Sequence, residues 1–276
     1  MNDALPDTPK PSTTNTRRTY LLNGVKMGAT LGVLALAFTL SSTDKTNIAS
    51  ASPSVRPALM QAPPREAIYA DFGGLPASPE AQHIAHWVVD SGDNQRMNFV
   101  ILDKKDARLY VFGPDGKLRG ASPVLLGAAQ GDHTVPGIGT KPLSEVLPEE
   151  RTTPAGRFIA EPGASTFGED VVWVDYDAAV SMHRVRALVT KERRLERLAS
   201  PTPEDNRISF GCVNVPVAFY EQTLQPAFDK RYGVVYVLPE VKSLQEVFNS
   251  YDIFERYGRQ DLCATGLCDG KPKRTS

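Results

Sequence analysis

The sequence has few of the residues that form metal and phosphate sites. Its 276 residues include four histidines and three cysteines, with no Cys-x-x-Cys pair, no His-rich tract and no glycine-rich phosphate loop. The formal net charge is −1 at pH 7, so the chain lacks the basic excess typical of nucleic-acid-binding proteins. We therefore expect no metal, no cofactor and no nucleic-acid partner.

One cysteine stands in a context suited to nucleophilic chemistry. Cys212 directly follows Gly211 at the end of an apolar, strand-like run that begins at Arg207. Pro216 and the helical spacing of the apolar residues after it predict a helix just beyond the sulfur, whose positive end would favour the thiolate. The alternative is a buried core cysteine, which is the commoner role of a lone Cys.

The segment Ser209–Asn214, Ser-Phe-Gly-Cys-Val-Asn, resembles the active-site motif of the L,D-transpeptidase (YkuD) family. In that family a histidine upstream of the motif is the catalytic base, and His183 occupies this place. Two further stretches resemble the same domain in the family's order, residues 98–112 and the Thr-Pro-Ala-Gly-Arg-Phe segment at 153–158. The resemblance covers roughly residues 96–240.

This resemblance implies a mainly β domain, a β-sandwich or barrel with a few peripheral helices. It also implies a cysteine acyltransferase that acts on peptidoglycan tetrapeptide stems. Cys212 would form a thioester and release D-alanine, and a carbapenem could acylate the same thiol. His183 would accept and return the proton. Backbone N–H groups around Gly211 and Cys212 would stabilise the oxyanion, with Ser209 and Asn214 as supporting residues.

Two features depart from the family pattern. Phe210 stands where the family has a histidine before the Gly-Cys pair, and the gap between His183 and Cys212 is longer than the common spacing. An insertion at 184–206 is therefore implied, and residues 191–198 within it predict a short amphipathic helix.

The insertion is rich in arginine and lysine. Because stem peptides carry carboxylates, an arginine there could bind one in bidentate fashion, and we place this role on Arg184, next to His183. For the other basic residues, a solvated helix face is the simpler interpretation. His133 is a second candidate for the base, because the loop 127–140 could fold over the site.

The N-terminal region resembles an export signal. Residues 1–20 form a cytoplasmic segment, and 21–43 combine positive charge with an apolar stretch, as in a signal peptide or an uncleaved inner-membrane anchor. Both interpretations place Cys212 in the periplasm or cell envelope, and restrict membrane contact to this segment. A linker rich in Pro, Ala and Ser at 44–78 then leads to the domain at 79–258.

The remaining cysteines lie in a C-terminal tail, residues 259–276. Cys263 and Cys268 could close a small disulfide loop in an oxidising compartment, which would leave Cys212 unpaired. The alternatives are free thiols or a bond between chains. The sequence leaves the oligomeric state and the acyl acceptor open: a second stem, a protein lysine, a D-amino acid or, in an L,D-carboxypeptidase, water. A different cysteine amide hydrolase and a non-catalytic wall-binding domain are further alternatives.

Overall fold

The computed structural model describes residues 66–229 and 231–258, and it confirms a mainly β domain with a few peripheral helices. The strands are β1 Phe99–Asp103, β2 Arg108–Phe112, β3 Leu118–Pro123, β4 Leu126–Gly127, β5 Gly156–Ala164, β6 Asp170–Asp175, β7 Val180–Arg184, β8 Arg207–Ser209, β9 Val213–Val215 and β10 Gly233–Val237. The helices are α1 Pro79–Ser91, α2 Arg194–Ala199, α3 Val217–Phe219, α4 Gln225–Phe228, α5 Leu244–Phe248 and α6 Ile253–Tyr257. A π-helical turn, Tyr220–Leu224, joins α3 to α4.

Eight strands form the main sheet in the order β3-β2-β1-β10-β5-β6-β7-β9, and β4 pairs with β8 separately. Within the main sheet, β1 runs parallel to β10 and β7 runs parallel to β9, while the other neighbours are antiparallel. The parallel pairing of β7 with β9 brings the segment that contains His183 beside the segment that follows Cys212.

The central strands are buried on both faces, which explains why β1 is an unbroken apolar run rather than an alternating one. One face contributes Val100 and Leu102 to a core that also includes Met182 of β7 and Val213 of β9, so the sheet wraps around this core. The opposite face packs against α1 through a second, aromatic-rich core.

Two local features stabilise the ends of the first elements. Ser78 caps α1, because its hydroxyl accepts a hydrogen bond from the Ala81 N–H at 3.0 Å. The turn at 113–116 closes a hairpin between β2 and β3, with Gly113 N–H bound to the Lys117 carbonyl at 2.9 Å. Residues before α1 also pack on this region, since Asp71 pairs with the 116–118 segment and Ala70 is buried.

The prediction of a helix directly after Cys212 is wrong. Residues 213–215 form β9, because this segment is held between β7 on one side and a bridge from Leu125 to Asn214 on the other. The helical segment begins only at Val217, beyond Pro216. Since the field of a helix terminus falls off within its first turn, the helix does not supply the predicted support for a thiolate at Cys212.

The helix predicted within the insertion is confirmed, but it begins later. Residues 190–192 form a 3₁₀ turn, and Arg193 in the left-handed conformation separates this turn from α2. None of the helices at 66–229 and 231–258 is long and apolar enough to cross a membrane. The predicted signal segment at 21–43 and the cysteines at 263 and 268 lie outside the described residues.

Candidate active site

The pairing of β7 with β9 places the two predicted catalytic residues on one face. Met182 lies opposite Val213 and His183 lies opposite Asn214. Met182 and Val213 point into the core, with 0% and 1% exposure. Because side chains alternate along a strand, His183 and Asn214 project to the other face, and Cys212, next to Val213, projects there as well.

The thiol of Cys212 has two polar neighbours on this face. Sγ lies 3.4 Å from the Ala179 carbonyl oxygen and 3.7 Å from the hydroxyl of Ser181, which precedes His183 by two positions on β7. Cys212 is partly exposed and is a free cysteine. The sulfur is therefore accessible, and its contacts hold it beside the strand that carries the imidazole.

A tight turn presents Cys212 at the start of β9. Gly211 has a φ of 136°, a region that favours glycine, and a Cβ on it would lie 2.8 Å from the Thr152 carbonyl oxygen. Ser209 closes the turn: its hydroxyl donates to the Cys212 carbonyl at 2.6 Å and accepts the Gly211 N–H at 3.1 Å. Ser209 thus shapes the turn at residues 209–212, and the Cys212 N–H is the candidate oxyanion donor there.

The His183 ring is fixed by its own main chain. Nδ1 lies 2.8 Å from the carbonyl oxygen of Arg184. A carbonyl oxygen can only accept, so Nδ1 carries the hydrogen and Nε2 is left with a free lone pair. Burial is the largest influence on the imidazole and lowers its pKa; the hydrogen bond to Arg184 opposes this, while the charges of Arg186 and Arg194 lower the pKa further. The imidazole of His183 is therefore neutral at pH 7.

Cys212 and His183 line the same pocket, which has a volume of about 320 Å³. One wall comes from the insertion and another from the segment just after the loop 127–140. The pocket is lined by Leu143, His183, Arg186, Leu188, Val189, Glu192, Arg194, Ser209, Phe210, Cys212 and Asn214. Four of these side chains are apolar and two are arginines, so the lining combines apolar surface with two guanidinium groups.

Two arginines of the insertion reach this pocket, contrary to the expectation of a solvated helix face. Arg194 donates to the Asn214 side-chain oxygen at 2.6 Å and pairs with Glu192 at 2.5 Å. Arg186 pairs with Glu169, a residue that does not line the pocket. A buried cluster of Leu125, Val185 and Leu198 anchors the insertion to the domain.

The structure does not bring Arg184 to the pocket. It follows His183 on β7 and therefore projects to the opposite face, where it pairs with Asp170 at 2.8 Å and Glu221 at 3.0 Å. The alternation of side chains along a strand was the signal in the sequence that excludes Arg184 from the face of β7 that carries His183. The same alternation identifies Ser181, which the sequence analysis missed.

The second candidate base, His133, is exposed and is not among the lining residues. Its carbonyl accepts a hydrogen bond from the Thr152 hydroxyl at 2.6 Å. The loop that carries it does come close to the site, since Gly139 packs against Asp177 and Ala179, and the Ala179 carbonyl contacts the Cys212 sulfur. Phe210, at the position of the family's histidine, is 39% exposed and lies under the Arg151 guanidinium at 4.2 Å.

Neither protein-family models nor curated proteins match the sequence. Among solved structures, the chain is similar to an L,D-transpeptidase from Mycobacterium smegmatis, with 16% identity, a TM-score of 0.31 and coverage of 51% of this chain and 58% of the other. The helical cell shape determining protein Pgp2 from Campylobacter jejuni is 16% identical, with a TM-score of 0.34 and coverage of 56% of this chain and 55% of the other. The catalytic domain of an E. faecium L,D-transpeptidase is 14% identical, with a TM-score of 0.29 and coverage of 52% of this chain and 98% of the other. The chain thus spans less than two thirds of the length of the first two of these proteins.

Proposed function

We propose that this chain is a cysteine acyltransferase of the L,D-transpeptidase type that acts on peptidoglycan stem peptides. The observation that carries the proposal is the placement of Cys212 and His183 on one face of adjacent parallel strands, in one pocket, with the imidazole held as a base. The resemblance of Ser209–Asn214 and of residues 153–158 to family motifs supports the choice of substrate.

In the first half-reaction, rotation about the Cys212 side-chain bond turns Sγ from its present partners toward His183 Nε2, which accepts the thiol proton. The thiolate attacks the carbonyl carbon of the third stem residue, and the carbonyl electron pair moves to the oxygen. The Cys212 N–H stabilises this oxyanion. When the tetrahedral intermediate collapses, the bond to the terminal D-alanine breaks, and His183 returns the proton to the leaving amine.

In the second half-reaction, an amine attacks the thioester carbonyl and loses its proton to His183. Collapse of the second tetrahedral intermediate forms the new amide and releases the Cys212 thiolate, which regains the proton. If water is the acceptor, the product is the tripeptide acid and the enzyme is an L,D-carboxypeptidase.

The carboxylate-binding role that the sequence placed on Arg184 passes to Arg186 and Arg194, since these guanidinium groups line the pocket. A planar guanidinium binds a carboxylate through two parallel hydrogen bonds. Both guanidinium groups have partners: Arg194 is held by Asn214 and Glu192, which line the pocket, whereas Arg186 pairs with Glu169, which does not. We therefore assign Arg186 to the substrate, whose carboxylate would compete with Glu169. The export signal at residues 21–43 would place this chemistry in the periplasm or cell envelope.

The test is intact-mass spectrometry of the full-length chain with a tetrapeptide-stem muropeptide and, separately, with a carbapenem. The parent chain should form a covalent adduct with each compound and should release D-alanine from the muropeptide. Neither result is expected for Cys212→Ala. His183→Asn should slow adduct formation by a factor on the order of 100 or more, because general base catalysis is lost. A parent chain that forms no adduct with either compound would refute the proposal and favour a wall-binding role.

A further inference from the structure

A buried hydroxyl contacts the turn at residues 209–212, which carries Cys212. Thr153 is 1% exposed, and its Oγ1 donates a hydrogen bond to the Gly211 carbonyl at 2.8 Å. The same oxygen accepts the Gly127 N–H at 3.0 Å. Thr153 Oγ1 thus connects the residue before Cys212 to strand β4.

The acceptor of this hydrogen bond belongs to the peptide that joins Gly211 to Cys212. In a trans peptide, the C=O and N–H bonds are coplanar and point in opposite directions. The hydrogen bond from Thr153 therefore fixes where the Cys212 N–H points. It also polarises the peptide, since a carbonyl that accepts a hydrogen bond makes its N–H a stronger donor.

A buried ammonium group holds Thr153 from the other side. Lys104 has a fully buried side chain, and its Nζ donates to the Thr153 carbonyl at 2.9 Å and to the Gly131 carbonyl. Asp132 at 3.1 Å and Glu240 at 3.5 Å balance its charge. Asp132 in turn accepts three main-chain N–H groups at 240–242. The backbone of Thr153 is therefore anchored through Lys104 and Asp132 to the segments at 131–132 and 240–242.

We infer that Thr153 is a positioning residue for acyl transfer: its hydroxyl aims the Cys212 N–H at the oxyanion, and Lys104 holds Thr153 in register. The inference rests on the proposed function, because it assigns the N–H that the transition state uses. It does not make Thr153 a catalytic residue, since its hydroxyl faces the buried side of the turn and touches no reacting atom.

The adjacent threonine provides a matched control. Thr152 is also buried, with 8% exposure, but its hydroxyl donates to the His133 carbonyl rather than to Gly211. Thr153→Val and Thr152→Val each replace one hydroxyl by a methyl group of similar size. Only the first removes the hydrogen bond to the peptide before Cys212. Thr153→Ser restores the hydroxyl and tests rescue.

The experiment compares two reactions of Cys212 in the full-length chain. Acylation by a carbapenem forms an oxyanion, whereas alkylation by iodoacetamide needs the thiolate and no oxyanion donor. Thr153→Val should slow acylation by roughly 10- to 100-fold, a partial loss of the effect of one oxyanion donor. The same variant should change the alkylation rate by less than about 3-fold. Thr153→Ser and Thr152→Val should change both rates by less than about 3-fold, since each keeps a hydroxyl at position 153 that donates to the Gly211 carbonyl.

Equal acylation rates for Thr153→Val and the parent chain would overturn the inference while leaving the proposed function intact. A parallel loss of acylation and alkylation would also overturn it, because that result indicates general damage to the site. If valine prevents folding, Thr153→Ala removes the hydroxyl without a methyl group against the Gly211 carbonyl, and the same two rates decide. A parent chain that is alkylated but never acylated would refute the proposed function together with this inference.

Discussion

Nδ1 of His183 lies 2.8 Å from the carbonyl oxygen of Arg184, the next residue in the chain. This hydrogen bond selects the tautomer without any third side chain, since the orienting group is the main chain of β7 itself. A substitution at Arg184 therefore leaves the orientation of the base in place, whereas a change in the path of β7 would not.

The neutral state of His183 predicts a pH dependence. Burial and the charges of Arg186 and Arg194 lower its pKa below the ordinary 6.5, so the titration midpoint of the ring followed by NMR should fall below that value. In the unfolded chain the imidazole binds its proton first as the pH falls below 6.5. The His183 contribution to stability is therefore full above pH 6.5 and declines as the pH falls toward the folded-state pKa.

Arg194→Gln should move the His183 midpoint upward, because it removes one of the charges that lower the pKa. His183→Gln assigns the resonance. An unchanged midpoint in Arg194→Gln, or a parent midpoint above 6.5, would contradict this account of the site.

Gly211→Ala should destabilise the domain and abolish acylation. The substitution combines an unfavourable φ of 136° with a Cβ placed 2.8 Å from the Thr152 carbonyl. Gly168→Ala is the control, since Gly168 also has positive φ, 77°, but its Cβ would meet nothing within 4 Å. We expect about 1 kcal/mol of lost unfolding free energy for Gly168→Ala and a clearly larger loss for Gly211→Ala, measured by urea denaturation. Equal losses would mean that the crowding at Gly211 is relieved without cost.

Arg186→Gln should raise KM for a tetrapeptide stem by about 10-fold, because it removes a charged hydrogen bond to a substrate carboxylate. With a stem whose terminal carboxylate is replaced by an amide, the same substitution should have little further effect. Arg184→Gln is the matched control on the opposite face of β7. A similar increase in KM for both substrates in Arg186→Gln would argue against carboxylate recognition.

Leu198→Ala should loosen the insertion that carries Arg194. Leu198 is 8% exposed and packs with Leu125 and Val185, so its truncation should cost about 2 kcal/mol of unfolding free energy. Leu195→Ala on the same helix removes a side chain that is 58% exposed and should be nearly neutral. Limited proteolysis should cleave residues 184–206 faster in Leu198→Ala only; equal cleavage in both variants would show that this cluster does not anchor the insertion.

The sequence by itself determined the mainly β class of the domain, and it singled out Cys212 and His183, which the structure places in one pocket. Local patterns were sufficient for the short helix within the insertion, since apolar periodicity acts over a few residues. The Gly-Cys turn was also a local signal, because only glycine suits the backbone at 211.

Only the tertiary structure decided which side chains meet. Residues 213–215 became a strand rather than the start of a helix because β7 and Leu125 offer hydrogen-bond partners from distant parts of the chain. The same long-range pairing fixed the pleat that sends His183 into the pocket and Arg184 away from it. The contacts of Thr153 with Gly211 and of Arg194 with Asn214 likewise join segments far apart in sequence, where no periodicity within one segment can predict the partner.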